Sequence, residues 1–414
     1  MDINEIFTQA LPLPEPWKVT SSNLEGKTGV LNLRIEVPMS TRLSCPKCEK
    51  EGCGVHDRIE KSWRHLNFWQ YETFIHANVP RVKCSECGVH QVNVPWAREG
   101  SGFTLLFEAL VLTLCEEMPV ATCAQMVGEH DNRLWRVLQH YVNKAHAAKD
   151  WSHVKKITVD ETSRKKGHNY VTSFVDTDTS ELLFMTEGKD ADTFDKFADQ
   201  LTNHQCEISN ITEVAMDMSP AFRSGAKKHF PDARIVYDRF HVMQMVGKAA
   251  DQVRKDLNHE VGGLGKGAMW ALRGNERNLK PRLKEQRKQL CKDHSIIGRA
   301  MGLRDYFQDL WNYDNEELAL EHFESWFSWA RRCRLEPFKD LALRLRKHLD
   351  GILAYYRNYT TSAMIESMNG KLQLAKRRAR GYRNVENFKV ISYWMLGGIR
   401  SGMNLQNPLS MPTF

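Results

Sequence analysis

The chain has 414 residues, 42% hydrophobic and 26% charged, a balance that fits two to four folded domains and excludes disorder. Its 58 basic and 51 acidic side chains leave a net charge of +7, which permits a polyanionic partner without requiring one. Residues 1–10 lack the basic start and apolar run of a signal peptide. The longest apolar stretch, Phe103–Cys115, contains Glu108 and is too short to cross a bilayer, so the expectation is a cytoplasmic protein with no membrane partner and reduced thiols.

Residues 1–20, with Pro12, Pro14 and Pro16, read as a loose lead-in. Residues 21–97 alternate apolar and polar positions, which predicts short strands. Two CxxC pairs lie here, Cys45–Cys48 and Cys84–Cys87. A CxxC turn aims two thiolates at one ion, and two such turns complete a closed zinc site that folds a module and does no chemistry. Gly88 eases the second turn. Cys53, His56 and His90 are rival ligands, and ordinary reduced thiols are the alternative reading.

Residues 98–150 follow helical spacing, with breaks near Pro119 and around Gly128–Asn132. A short helix, a tight turn and a helix carrying Arg133, Trp135, Arg136, Gln139 and His140 predict a helix-turn-helix DNA-binding domain, with Arg133 and Arg136 as DNA contacts. Any helical bundle offers a similar pattern.

Residues 151–245 hold three apolar runs that each end in aspartate, at Asp160, Asp217 and Asp238. Such runs read as buried strands of one sheet. Clustered carboxylates repel one another, and a hard divalent cation such as Mg²⁺ or Mn²⁺ removes that cost. Strand-end aspartates also cap turns, and Asp217 precedes a helix start at Ser219-Pro220. Residues 246–355 are helical by pattern and strongly basic over Ala271–Arg304. Trp311, Trp326, Phe327 and Trp329 follow. The stretch reads either as a DNA clamp with an aromatic stacked on a base or as a plain bundle, with Trp326 and Trp329 as core. Residues 356–400 close the domain and 401–414 form a tail. After Ser362, Ile365, Met368, Leu372, Ala375 and Ala379 make an apolar stripe beside a polar one of Glu366, Asn369, Gln373 and Lys376. The basic residues Lys371, Lys376, Arg377, Arg378 and Arg380 suit DNA phosphates, though charge runs are usually solvated faces.

In order along the chain stand the two CxxC pairs, Trp63-Arg64-His65-Leu66, Pro80-Arg81-Val82, Val94-Pro95-Trp96-Ala97, Val159-Asp160-Glu161-Thr162, Lys166-Gly167-His168-Asn169-Tyr170, Met216-Asp217-Met218-Ser219, Asp238-Arg239-Phe240-His241 and Ile365-Glu366-Ser367-Met368-Asn369-Gly370. This set resembles the ISL-three family of bacterial insertion-sequence transposases over nearly the whole length. The resemblance implies a multidomain α+β protein: an N-terminal zinc-binding β module, a helix-turn-helix, and an RNase H-like α/β catalytic domain with a large all-α insertion. It implies a DDE triad of Asp160, Asp217 and Glu366 holding two Mg²⁺ or Mn²⁺ ions. Asp238 and His241 would be accessory residues. Of Asp160 and the adjacent Glu161, strand alternation points only one at the metals, and the family pattern favours Asp160. The implied activity is binding of terminal inverted repeats, metal-dependent cleavage, and strand transfer by 3′-hydroxyl attack on target DNA. A homodimer or larger assembly on double-stranded DNA, associated with the nucleoid, would carry it out. A DNA-binding regulator without catalysis and a metal-dependent nuclease or junction resolvase are the competing functions.

Overall fold

The computed structural model describes residues 3–11, 13–165, 169–274, 276–358 and 362–399, with the backbone path alone for 164, 165, 169, 277, 358, 362–367 and 369. The chain divides into two compact units, the first running to Lys144 and the second from Ala145 to Gly398.

The first unit opens with helix α1 (Ile3–Ala10) and strands β1 (Lys18–Glu25), β2 (Val30–Glu36), β3 (Gly54–Phe68), β4 (Tyr71–Cys84) and β5 (Gly88–Gln91). The sheet order is β1-β2-β4-β3 with β5 paired to β4, and only β2–β4 is parallel. Alternation along β2 and β4 buries Ile35, Ile75, Ala77 and Val79. Trp96 joins them and meets Trp17 and Trp63 edge-on, at ring distances of 5.0 and 5.5 Å. The lead-in is therefore not loose. Residues 3–10 are helical, and Trp17 and Val19 lie in the core. The prolines interrupt regular structure, but they do not keep a large indole in water.

Three helices complete this unit: α2 (Leu105–Glu117), capped by the Thr104 side chain, α3 (Val120–Val127) and α4 (Asp131–Ala147). Pro119 precedes α3, and Gly128 ends it at φ +73°, a left-handed turn that favours glycine. The Trp63-Arg64-His65-Leu66 stretch is the joint between sheet and helices. The Arg64 amide donates to the Gly102 carbonyl, the Thr104 amide donates to the Arg64 carbonyl (both 3.0 Å), and the buried guanidinium lies over the Phe107 ring. Burial holds His65 down at about 4, so its ring is neutral.

Glu108, the charge inside the longest apolar stretch, is fully buried. It accepts from Arg98 (3.0 Å), Ser101 (2.7 Å) and Tyr141 (2.7 Å), tying the preceding loop to α2 and α4. Arg98→Ala leaves that carboxylate without its counter-charge and should cost about 3–5 kcal/mol in chemical denaturation. A loss below about 1 kcal/mol would mean that water takes over the arginine's role.

The second unit is built on strands β6 (Lys156–Lys165), β7 (Asn169–Asp176), β8 (Leu182–Glu187), β9 (Glu213–Met216) and β10 (Arg234–Tyr237), with helices α5 (Asp192–Asn203) and α6 (Pro220–His229) between the later strands. The order is β10-β9-β6-β7-β8, and only β7 runs against the rest. β9 is buried at every residue, Glu213 included, and Val214, Ala215 and Met216 read as an apolar run for that reason.

Helices α7 (Arg239–Glu260), α8 (Ala268–Arg273), α9 (Pro281–Asp293), α10 (Ser295–Gln308), α11 (Glu316–Arg332), α12 (Glu336–Lys347), α13 (Leu349–Leu353) and α14 (Tyr355–Asn358) follow. Their core is continuous with that of the sheet. Trp326 is fully buried and its indole donates to the Leu303 carbonyl (2.9 Å). Trp329, expected in the core, is 37% exposed. The buried face of α11 runs through Ala319, Phe323, Trp326 and Ala330, leaving Trp329 at its rim against Tyr306. A Cβ on Gly351 would lie 2.6 Å from the Tyr237 ring, so glycine lets α13 close on β10.

Last come α15 (Ser362–Arg378) and α16 (Val385–Leu396). The Met185 amide on β8, the edge strand, donates to the Tyr393 hydroxyl of α16 (2.9 Å), so α16 covers an edge that would otherwise invite pairing. No helix among the described residues is long and apolar enough to cross a membrane.

Candidate active site and metal centre

The zinc ligands assemble from two turns. Cys45 lies in the loop after β2, where its amide donates to the Lys50 carbonyl (2.9 Å) and its carbonyl accepts from the Glu49 amide (2.9 Å). Cys84 ends β4, and Gly88, at φ +86°, turns the chain into β5. The ligand atoms of Cys45, Cys48, Cys84 and Cys87 all lie within 4.8 Å of one another, and the Cys48 and Cys84 sulfurs are 3.6 Å apart. Four sulfurs bonded tetrahedrally to zinc stand about 3.8 Å apart, so this donor set fits a closed structural zinc site. The amides of Glu86 and Cys87 lower the Cys84 thiol to about 6, while the neighbouring Cys48 and burial push Cys87 up to about 12, the opposition expected of crowded thiols that cannot all ionise without a cation. The rivals are engaged elsewhere. Cys53 donates to the Lys50 carbonyl, His90 bonds the Cys87 carbonyl (2.7 Å), and His56 stands beside Asp57.

The carboxylates are arranged by strand register. Thr158 of β6 pairs with Ala215 of β9, and Met216 of β9 pairs with Tyr237 of β10. Continuing those registers brings Asp160 level with Asp217 and Asp238, on strands about 4.8 Å apart; Asp217 and Asp238 follow the ends of β9 and β10, but Asp160 is not a strand end, because β6 continues in its pairing with β7 as far as Lys165. Asp160 is buried, on the face opposite Ile157 and Val159, and its Oδ1 accepts from the Glu161 amide (2.8 Å). Asp217 accepts from the Ser219 amide (2.8 Å), so it does fasten the turn into α6 while standing in the row. Burial chiefly pushes the Glu161 carboxyl up. Asp217 and Asp160 add to that shift and Lys189 opposes it, which is the like-charge repulsion expected of such a cluster.

Asp238 caps α7 through the Phe240 amide and holds His241 Nδ1 at 3.0 Å. That bond outweighs burial and raises His241 above its ordinary 6.5, with Asp160 and Asp217 contributing. The stability gained from this pair is fully present below about pH 6.5 and is lost as pH rises through the elevated midpoint. In metal-free protein, Asp238→Asn should lower the His241 midpoint seen by NMR. An unmoved midpoint would show that Asp238 does not hold the imidazolium.

Helix α15 docks on β6, the strand that carries Asp160. Gln373 donates to Thr162 Oγ1 (2.8 Å), and Lys376 donates to the Ser163 carbonyl (2.6 Å). Glu366 is two helical turns before Gln373 on this helix; its side chain lies outside the described residues, as do Lys166, Gly167 and His168. Lys376, expected on DNA, is thus committed to β6, whereas Lys371, Arg377, Arg378 and Arg380 are exposed. In the helix-turn-helix, Arg136 is exposed, but Arg133 pairs with Glu129 and lies 4.1 Å over the Phe103 ring. Sequence reasoning placed Gln373 and Lys376 on a polar stripe but not their docking.

Comparison with known proteins agrees part by part. Residues 42–87 match the zinc-finger of transposase IS204/IS1001/IS1096/IS1165, residues 92–142 the helix-turn-helix domain of transposase family ISL3, and residues 157–392 the transposase model of that family. A zinc ribbon, a helix-turn-helix and a transposase domain on one chain define a DNA-modifying enzyme class. The chain belongs to the ISL3 family of insertion-sequence transposases. It is 27% identical over 394 residues to the transposase for insertion sequence element IS1557 of Mycobacterium tuberculosis, covering 86% of each chain. It is 26% identical over 364 residues to the transposase for insertion sequence element IS1001 of Bordetella parapertussis, covering 85% of this chain and 88% of the other.

Proposed function

We propose that the protein binds the terminal inverted repeats of its insertion sequence, cleaves there, and joins the freed 3′ ends to target DNA, with Asp160, Asp217 and Glu366 as the catalytic triad. The observation that carries this reading is the register that pairs β6 with β9 as far as Thr158 and Ala215; continued by two residues, it brings Asp160 level with Asp217. The order β10-β9-β6-β7-β8 with only β7 reversed is what an RNase H-like domain requires, and it supports that assignment, with α7 to α14 as the all-α insertion. The docking of α15 beside Thr162 and Ser163 supports Glu366 as the third carboxylate.

An all-oxygen donor set of this kind fits Mg²⁺ or Mn²⁺. When bound, two such ions supply Lewis-acid activation of the attacking and leaving oxygens of an in-line displacement. The chain's own groups do the rest. Asp160 and Asp217 present their oxygens from strands that packing makes rigid, while Asp238 orients His241 beside them. Arg136 of α4, with Lys371, Arg377, Arg378 and Arg380 of α15, holds phosphates. The attacking groups are water and then the 3′-hydroxyl, so no covalent protein–DNA intermediate forms. Both ends must be held at once, which calls for a homodimer or larger assembly on nucleoid DNA in the cytoplasm.

Purified protein, Mn²⁺ and end-sequence DNA, with both strands mapped, test the proposal. The expected products are 3′-hydroxyl ends and their joints to target. Binding without nicking would establish a regulator instead, and cutting without joints a nuclease.

A further inference from the structure

The β module ends its longest hairpin in an exposed indole. Strands β3 and β4 are joined by the two-residue loop Trp69-Gln70, with Phe68 paired to Tyr71. Trp69 stands there at φ +54° and is 79% exposed. Glycine or asparagine is usual in that left-handed position, and an indole left in water adds little to the fold. The side chain is nevertheless held in place. Its ring stacks on Phe68 (4.8 Å), and Phe68 meets Phe7 of α1 edge-on (5.6 Å).

Phe68 also lines a groove of about 440 Å³, together with Ile3 and Ile6 of α1 and Leu24 of β1. These four residues are 39% to 58% exposed. With Trp69 they present about 600 Å² of side chain to water, the top of the range for the largest apolar patch on a monomer. The groove is lined by no lysine or arginine, and α1 carries Glu5 and no basic residue. A surface that takes DNA is basic, so this one suits protein. Groove and protruding indole are neighbours through Phe68, which is what a two-fold contact uses: each copy offers a knob and receives one. Two copies meeting here bury about 1,200 Å², where specific interfaces begin.

We propose that this face is where a second copy of the chain docks, with Trp69 of each copy seated in the groove of the other. This rests on the reading above that an assembly of the chain holds two element ends, and it names the surface. The hairpin also touches the helix-turn-helix, since a Cβ on Gly128 would lie 2.7 Å from Glu72 Oε1 of β4. A pair joined here therefore holds two reading helices in a fixed relation.

Sedimentation equilibrium of the full chain without DNA tests it. The wild type should dimerise. Trp69→Gly should raise the dimer Kd at least about 100-fold, because each dimer loses two central indoles. Its monomer should be as stable as the wild type or more so, because glycine relieves the left-handed turn. Leu24→Lys, in the groove, should dissociate the pair as well. An equimolar mixture of the two variants should recover dimer, because the mixed pair keeps one intact contact and neither homodimer keeps any. A Trp69→Gly protein as dimeric as the wild type, or a mixture no more dimeric than its components, would overturn the inference. So would a loss confined to end binding, which would make the indole a DNA contact. A wild type that is monomeric alone yet pairs two ends on DNA as well as Trp69→Gly does would remove this surface and leave the assembly reading. A wild type that dimerises through Trp69 and never pairs ends would do the reverse.

Discussion

Asp217→Asn is expected to reduce end cleavage by at least about a thousandfold, some 4 kcal/mol at 1.36 kcal/mol per decade, while end binding and folding persist. An asparagine side-chain oxygen closes the same turn to an amide two residues on, so the bond to the Ser219 amide survives and only the charge disappears from the row. Asp217→Ala should lose cleavage equally and also about 1 kcal/mol of stability with the turn hydrogen bond. Glu366→Gln should match Asp217→Asn. Glu161→Gln should retain most activity, because strand alternation turns Glu161 to the face opposite Asp160. Cleavage by Asp217→Asn at the wild-type rate, under the same Mn²⁺ assay, would remove that residue from the chemistry.

The second large effect belongs to the thiolates. Cys84→Ser should abolish zinc binding and unfold the β module, because structural zinc contributes about 10–16 kcal/mol in small modules and whole domains are stable by only about 5–15 kcal/mol. β4 and β5 meet at Cys84 and Gly88, so losing the ion loosens the sheet directly. Cys53→Ser should keep the metal, since that thiol bonds the Lys50 carbonyl and stands outside the four-sulfur group. Metal content by mass spectrometry, read with the cooperative unfolding transition, separates the two variants. Full zinc occupancy in Cys84→Ser would reject the site.

Local chemistry was legible in the sequence where it acts over a few residues. Both CxxC turns, the proline before α3, the glycine after it and the aspartates ending three apolar runs were all readable, because each depends on one turn or one strand. Packing outcomes were not. Proline spacing said nothing about where Trp17 would be buried, and a helical period alone did not separate Trp326 from Trp329, three residues apart on α11. The charges of Lys376 and Arg133 looked like DNA contacts until β6, Glu129 and Phe103 were seen to engage them.

The sequence by itself determined which residue types end the apolar runs, where the sulfurs lie in pairs and which helix carries the distant glutamate, since composition and short-range periodicity encode these. Only the tertiary structure decided that β9 lies between β6 and β10, and hence that Asp160, Asp217 and Asp238 stand in step. Strand order is a choice among long-range pairings settled by the burial of whole faces, and no stretch of chain carries that information locally.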